Sequence, residues 1–294
     1  MPPDRGRIGE VKKREELTAT MKRIYIAVDM EGAASIFSDQ ETSPGHHAYD
    51  EARKQLLSEV NAAVEGAFRG GADEVYVHDY HGGLHNLNVN DLDDRAGQVR
   101  GHGMPNVHLP GIEDHFDGLL VVGAHGPKHD SDTNTLAHVI NGGVFDFIEI
   151  NGINVGETII DAWLAGIWDV PLLFVTGETG AVEETQRIYP DVPHVITKQG
   201  LHYHAAISRP VSQVVEDIRS GVESAVKKDG KVLVPSQPVE VTIRFNKLKH
   251  AGVCDLLPEC FDERQGKTVH YTTEDFFTAY RRILAALLLA GFAD

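Results

Sequence analysis

Short apolar runs alternate with helix-period segments from Met21 to Pro190, and this alternation constrains the fold more than any other feature. "RIYIAVDME", "DEVYVHDYH", "FDGLLVVGAHG" and "VPLLFVTGE" are rich in β-branched and aromatic residues, as buried strands are. "GVFDFIEINGINVGE" is a further extended stretch, and its Asn-Gly pair suits a tight hairpin turn. A helix from about Tyr49 to Arg69 follows the first run. It carries an apolar stripe of Leu56, Val60, Ala63, Val64 and Ala67, and Gly70 and Gly71 stop it. Further helical segments run from about Glu157 to Ala165 and through "GAVEETQRIYP". Strands separated by helices predict an α/β domain over residues 21–194, layered α/β/α, with a largely parallel or mixed sheet.

The texture changes beyond Val195. "HVITKQGLHYHAA" reads as a strand with an exit loop, and Ser208 and Pro210 open a helix carrying Val211, Val214, Val215, Ile218 and Val222. The strand "PVEVTIRF" and a last helix, starting at Thr272 with Asp275 as a capping acid, complete a smaller α+β unit over 195–294. Residues 1–20 have no apolar h-region and read as a flexible charged leader. The longest apolar run, "ILAALLLAGFA", is about half of what a bilayer span requires. A net charge of −17 argues against a nucleic-acid backbone or an anionic membrane as partner. Two cysteines, Cys254 and Cys260, make no disulfide framework, which favours the cytoplasm.

Function is written at the strand ends. The first run closes on Asp29 and Glu31, two residues apart and therefore on one side of an extended chain, with Gly32 directly after. Adjacent carboxylates repel unless a cation sits between them or one holds a proton. The next strand ends in His81, the third in His125, and the "NVGE" segment exits at Glu157. In open α/β sheets the carboxyl edge is where ligands bind. Three carboxylates and two imidazoles converging there suit zinc, with manganese or cobalt a poorer match. One catalytic zinc takes three protein ligands plus water, so five ligands suit a metal pair roughly 3.5–4 Å apart with Asp29 as the bridge. The same residue types also serve as plain turn residues at strand ends.

The Asp29-Met30-Glu31-Gly32 motif resembles the opening motif of the binuclear-zinc D-aminopeptidase family, and "VHDYH", "LLVVGAHG" and "INGINVGE" resemble its later ligand segments in order. The resemblance spans roughly Met21 to Ala290. It implies two zinc ions per subunit on Asp29, Glu31, His81, His125 and Glu157. It also implies aminopeptidase action on short peptides with an N-terminal D-residue, and a ring-shaped homodecamer. The family places a catalytic histidine between its second histidine ligand and its glutamate ligand. "TLAHVING" puts that role on His138, after a loop about two residues longer than in the relatives, with His129 as the rival.

Other histidines invite plainer readings. His46 and His47 fall in an exposed helix start, His102, His108 and His115 in a surface connection, and His78 on a strand. His202 and His204 have chelate spacing, but nothing around them completes a site. Two competing functions remain: a metal-dependent phosphoesterase, which needs cationic side chains beside the ligands and has only Lys128, and a non-catalytic metal-containing peptide-binding protein.

Overall fold

In the computed structural model, which describes residues 21–128 and 134–293, the apolar runs become strands that assort into two sheets. The leader 1–20 and His129 lie outside the described residues. In chain order the first elements are β1 (Arg23–Val28), a short α1 (Asp39–Thr42), α2 (His47–Arg69), β2 (Glu74–Asp79), β3 (Gly97–Val99) and β4 (Gly118–Ala124). Then come β5 (Phe145–Ile150), β6 (Ile153–Asn154), α3 (Glu157–Gly166), β7 (Leu172–Glu178), α4 (Thr179–Ile188), β8 (His194–His202) and β9 (Ala205–Ser208). The chain closes with α5 (Val211–Val226), β10 (Val239–Phe245), α6 (Leu248–Gly252), β11 (Glu263–Gln265), β12 (Thr268–Thr273) and α7 (Phe276–Gly291).

The main sheet has the order β3-β2-β1-β4-β7-β8-β9 and is parallel except for the β8–β9 pair. Its central strands are covered on both faces, which is why β1 and β4 are apolar almost throughout instead of alternating. Ile24, Ile26 and Val28 of β1 enter a core with Leu56, Val60 and Val64 of α2 and Val214, Ile218 and Val222 of α5. Tyr25 and Ala27 point the other way, into a core shared with α3, α7 and the second sheet. That sheet, ordered β11-β12-β10-β5-β6, is antiparallel and buries one face, so β10 alternates buried Val239, Val241, Ile243 and Phe245 with more exposed residues.

Three expectations change. The "GVFDFIEINGINVGE" stretch is the expected hairpin, with Asn151 and Gly152 at φ +50° and +78° as a type I′ turn requires. However, it leaves the parallel series and pairs with β10 in the second sheet. The expected division at 194/195 does not follow the sheets either: β8 and β9 complete the main sheet, and α5 packs on α2. Thr272 belongs to β12, and Asp275 itself caps α7, accepting from Thr278 N and Oγ1 at 2.8 Å each.

Candidate metal centre

The chain order reverses between β1 and β4, with β2 and β3 on one side and β7 and β8 on the other. A crevice at the carboxyl edge of such a reversal is the usual ligand position in open α/β sheets. Asp29 and Glu31 leave β1 there, His81 follows β2, and His125 follows β4 directly. Glu157 arrives differently, as the first residue of α3 after the β5–β6 hairpin. Gly32 explains why glycine must follow the acids: a Cβ there would lie 1.8 Å from Ala124 O, beside His125. Its amide donates to Gly123 O at 2.8 Å, so the β1 exit is pressed against the end of β4.

Six side chains meet in two groups. In the first, His81 Nδ1 lies 3.2 Å from Asp29 Oδ1 and 2.8 Å from Glu31 Oε2. In the second, His125 Nε2 lies 3.0 Å from Glu157 Oε1 and 3.5 Å from Asp29 Oδ2, and His138 Nε2 lies 3.6 Å from Glu157 Oε1. Asp29 thus gives one oxygen to each group.

Each imidazole turns its other nitrogen to a main-chain carbonyl: His81 Nε2 to Thr42 O at 2.9 Å, His125 Nδ1 to Gly126 O at 3.1 Å, and His138 Nδ1 to Leu136 O at 2.8 Å. A nitrogen facing a carbonyl carries a proton, so the other nitrogen of each ring is the one that would offer its lone pair to a cation seated among the carboxylates. Glu31 Oε2 is buried without hydrogen-bond geometry to any partner, as expected of an atom that ligates a cation. The oxygen and imidazole donors fit zinc.

The local field states the same demand. Burial alone would lower His81 and His125, yet the charges of Glu31 and Glu157 respectively hold them well above the imidazole range. Burial pushes Asp29 up, and the neighbouring Glu31 charge adds to it. Burial also acts to raise Glu157, but His125 overrides it and brings that carboxyl down to about 2. The buried carboxylates therefore call for compensating positive charge, supplied by protonated imidazoles or by a cation in place of those protons.

A family model described as D-aminopeptidase matches residues 21–285. The chain belongs to the D-aminopeptidase family. It is 29% identical over 270 residues to a D-aminopeptidase of Bacillus subtilis (strain 168), covering 91% of this chain and 97% of that one. Its fold superposes with a TM-score of 0.85 on the Zn-dependent D-aminopeptidase DppA from Bacillus subtilis, described as a self-compartmentalizing protease. That match has 28% identity and covers 92% of this chain and 98% of that one. The D-aminopeptidase family is a family of peptidases, and the segments read as its motifs are those that converge here.

Within this D-aminopeptidase fold the remaining histidines divide cleanly. His46, His102, His115 and His202 are exposed, and exposed His204 pairs with Asp39 at 2.9 Å. His78 is a fully buried strand residue whose Nδ1 meets Val99 O at 3.0 Å. His108 overturns the surface reading. It is buried, its Nδ1 lies 3.0 Å from Asp161 Oδ1, and Tyr80 stacks on its ring at 5.6 Å. The cause is tertiary: Asp161 lies one turn beyond Glu157 on α3, and this buried carboxylate draws the imidazole inward. Lys128, the cation on which a phosphoesterase reading relied, turns away to Asp146 at 3.0 Å and Asn246 at 3.1 Å. Two further groups escape a reading of motifs, the fully buried Glu178 at the end of β7 and Lys198 midway along β8. For Glu178 the signal available was a charged residue closing an otherwise apolar strand.

Proposed function

We propose that this chain is a zinc-dependent aminopeptidase that removes the N-terminal residue, a D-amino acid, from short peptides. Two zinc ions per subunit are held by Asp29, Glu31, His81, His125 and Glu157. The observation that supports this most is the split of Asp29, with Oδ1 facing His81 and Oδ2 facing His125. On this reading Asp29, Glu31 and His81 would hold one ion and Asp29, His125 and Glu157 the other, with Asp29 shared. When bound, such a pair supplies an acidified water and polarises the scissile carbonyl.

The chain's own groups supply the rest. The negative cluster attracts the substrate's free ammonium and so favours a free N-terminus. His138 is the most exposed of the six side chains, at 21% against 10% or less for the others. A group that meets substrate must be reachable, and on this reading Nε2 of His138 stabilises the oxyanion or passes a proton to the leaving amine.

The protein assembles as a homo-oligomer, a decamer by family resemblance, and the self-compartmentalizing description of its structural neighbour supports this. Exposed Leu248, Leu256, Leu288 and Phe292 in the C-terminal helices are compatible with burial between copies. Cys254 and Cys260 are free thiols, in keeping with the cytoplasm. No helix among the described residues is long and apolar enough to cross a membrane. Turnover of a panel of D- and L-aminoacyl chromogenic amides by zinc-loaded protein tests the activity. D-amides should be cleaved, with loss on chelation and recovery on zinc addition. Cleavage of phosphate esters alone would refute the reading.

A further inference from the structure

Asp29 and Glu31 leave β1 and His125 leaves β4, yet the loops that carry them are held from β7 and β8, the next two strands beyond β4, which supply no ligand. Glu178, at the end of β7, is fully buried and accepts from two amides, Gly126 N on Oε1 and Thr135 N on Oε2, each at 2.8 Å. Gly126 directly follows His125, and Thr135 stands three residues before His138. One carboxylate therefore fixes the main chain beside both rings, which stack with centroids 4.0 Å apart.

Lys198, midway along β8 and level with the end of β7, does the complementary task. Its ammonium is fully buried and donates to Ala33 O at 3.0 Å and to the carbonyls of Glu31 and Ile36. Beside it, Thr197 Oγ1 donates to Gly32 O at 2.6 Å. The loop carrying Glu31 is thus gripped through its main chain, while the Glu31 carboxylate stays free for the first group. Glu178 and Lys198 are register partners across the parallel β7–β8 pair. Their charges are opposite, and each is satisfied by backbone groups of a different ligand loop.

We propose that Glu178 and Lys198 are a buried positioning pair that sets the two ligand-bearing loops, and hence the two halves of the metal centre, in register. Two apolar residues of like volume would be cheaper to bury. What the charges add is direction: a carboxylate demands two N–H groups and an ammonium demands three carbonyls, at hydrogen-bond distance. Outer partners of this kind commonly carry 10–100-fold of metal affinity or activity. This inference rests on reading the six side chains as a two-zinc centre.

The test compares wild type, Glu178→Gln, Lys198→Met and the double variant by amide hydrogen exchange and by zinc affinity in chelator competition. Glu178→Gln should speed exchange around Gly126 and Thr135, leave residues 31–36 unchanged, and weaken one zinc equivalent roughly 10–100-fold. Lys198→Met should loosen residues 31–36 and the other equivalent by a similar factor. If a single variant fails to fold because it strands one buried charge, the double variant, which strands none, should fold and should weaken both equivalents. Wild-type zinc affinity and exchange in Glu178→Gln would overturn the proposal. So would loosening spread evenly over both sheets at unchanged zinc affinity, or a double variant that does not fold, since either makes the pair purely structural. A wild-type protein that binds no zinc sinks the two-zinc reading instead, and the exchange pattern then judges the pair alone.

Discussion

The imidazoles of His125 and His138 stack with centroids 4.0 Å apart and planes 18° from parallel, but they differ in surroundings. His125 is buried between Asp29 and Glu157, whereas His138 is partly open and 3.6 Å from Glu157. His138→Ala should therefore retain zinc content and melting temperature while turnover falls by roughly 10²-fold or more. Zinc, melting temperature and turnover measured on one preparation decide it. Loss of a zinc equivalent would make His138 a ligand, and near-normal turnover would remove it from the chemistry.

Asp29 faces both groups, so in the proposed two-zinc centre its charge would serve two cations at once. Asp29→Asn preserves the shape of the side chain but gives a neutral amide that cannot balance two dications. Both zinc ions should be lost, as read by elemental analysis after desalting. Retention of one full equivalent would place Asp29 on a single metal.

The β1 exit loop rests on a buried acid whose protonation affects folding. Glu59 on α2 is fully buried and accepts from Ala34 N at 2.8 Å and Gln55 Nε2 at 3.1 Å, while Oε2 has no partner. Burial pushes it up from 4.5 to about 7, against the weaker pull of those bonds and of Lys198. The folded chain keeps a proton that the unfolded chain releases, so stability falls as pH rises between these two values. The span corresponds to about 3 kcal/mol. Glu59→Gln should therefore gain on wild type between pH 5 and pH 8 in denaturant melts. Parallel stability curves across that range would contradict the assignment.

How much of this was legible in the sequence follows from where each determinant lies. Asp29, Glu31, His81 and His125 sit where an apolar run stops, and a strand end in a parallel sheet has few places to be; local pattern therefore carries them into the crevice. Glu157 was readable from the Gly156-Glu157 helix start, although it arrives from the second sheet. The destination of the β5–β6 hairpin was not readable, because its partner β10 lies far along the chain and alternation alone does not name a partner. His108 was misread for the same reason: its burial is set by Asp161 and Tyr80, each from another segment. Glu178 and Lys198 were invisible as a pair until strand register placed them side by side.

The central claim is that these side chains hold a pair of zinc ions, and the direct measurement is zinc per chain by elemental analysis of metal-replete, desalted protein. The account predicts a value close to two, falling to near none in Asp29→Asn; a reproducible wild-type value near zero would contradict it.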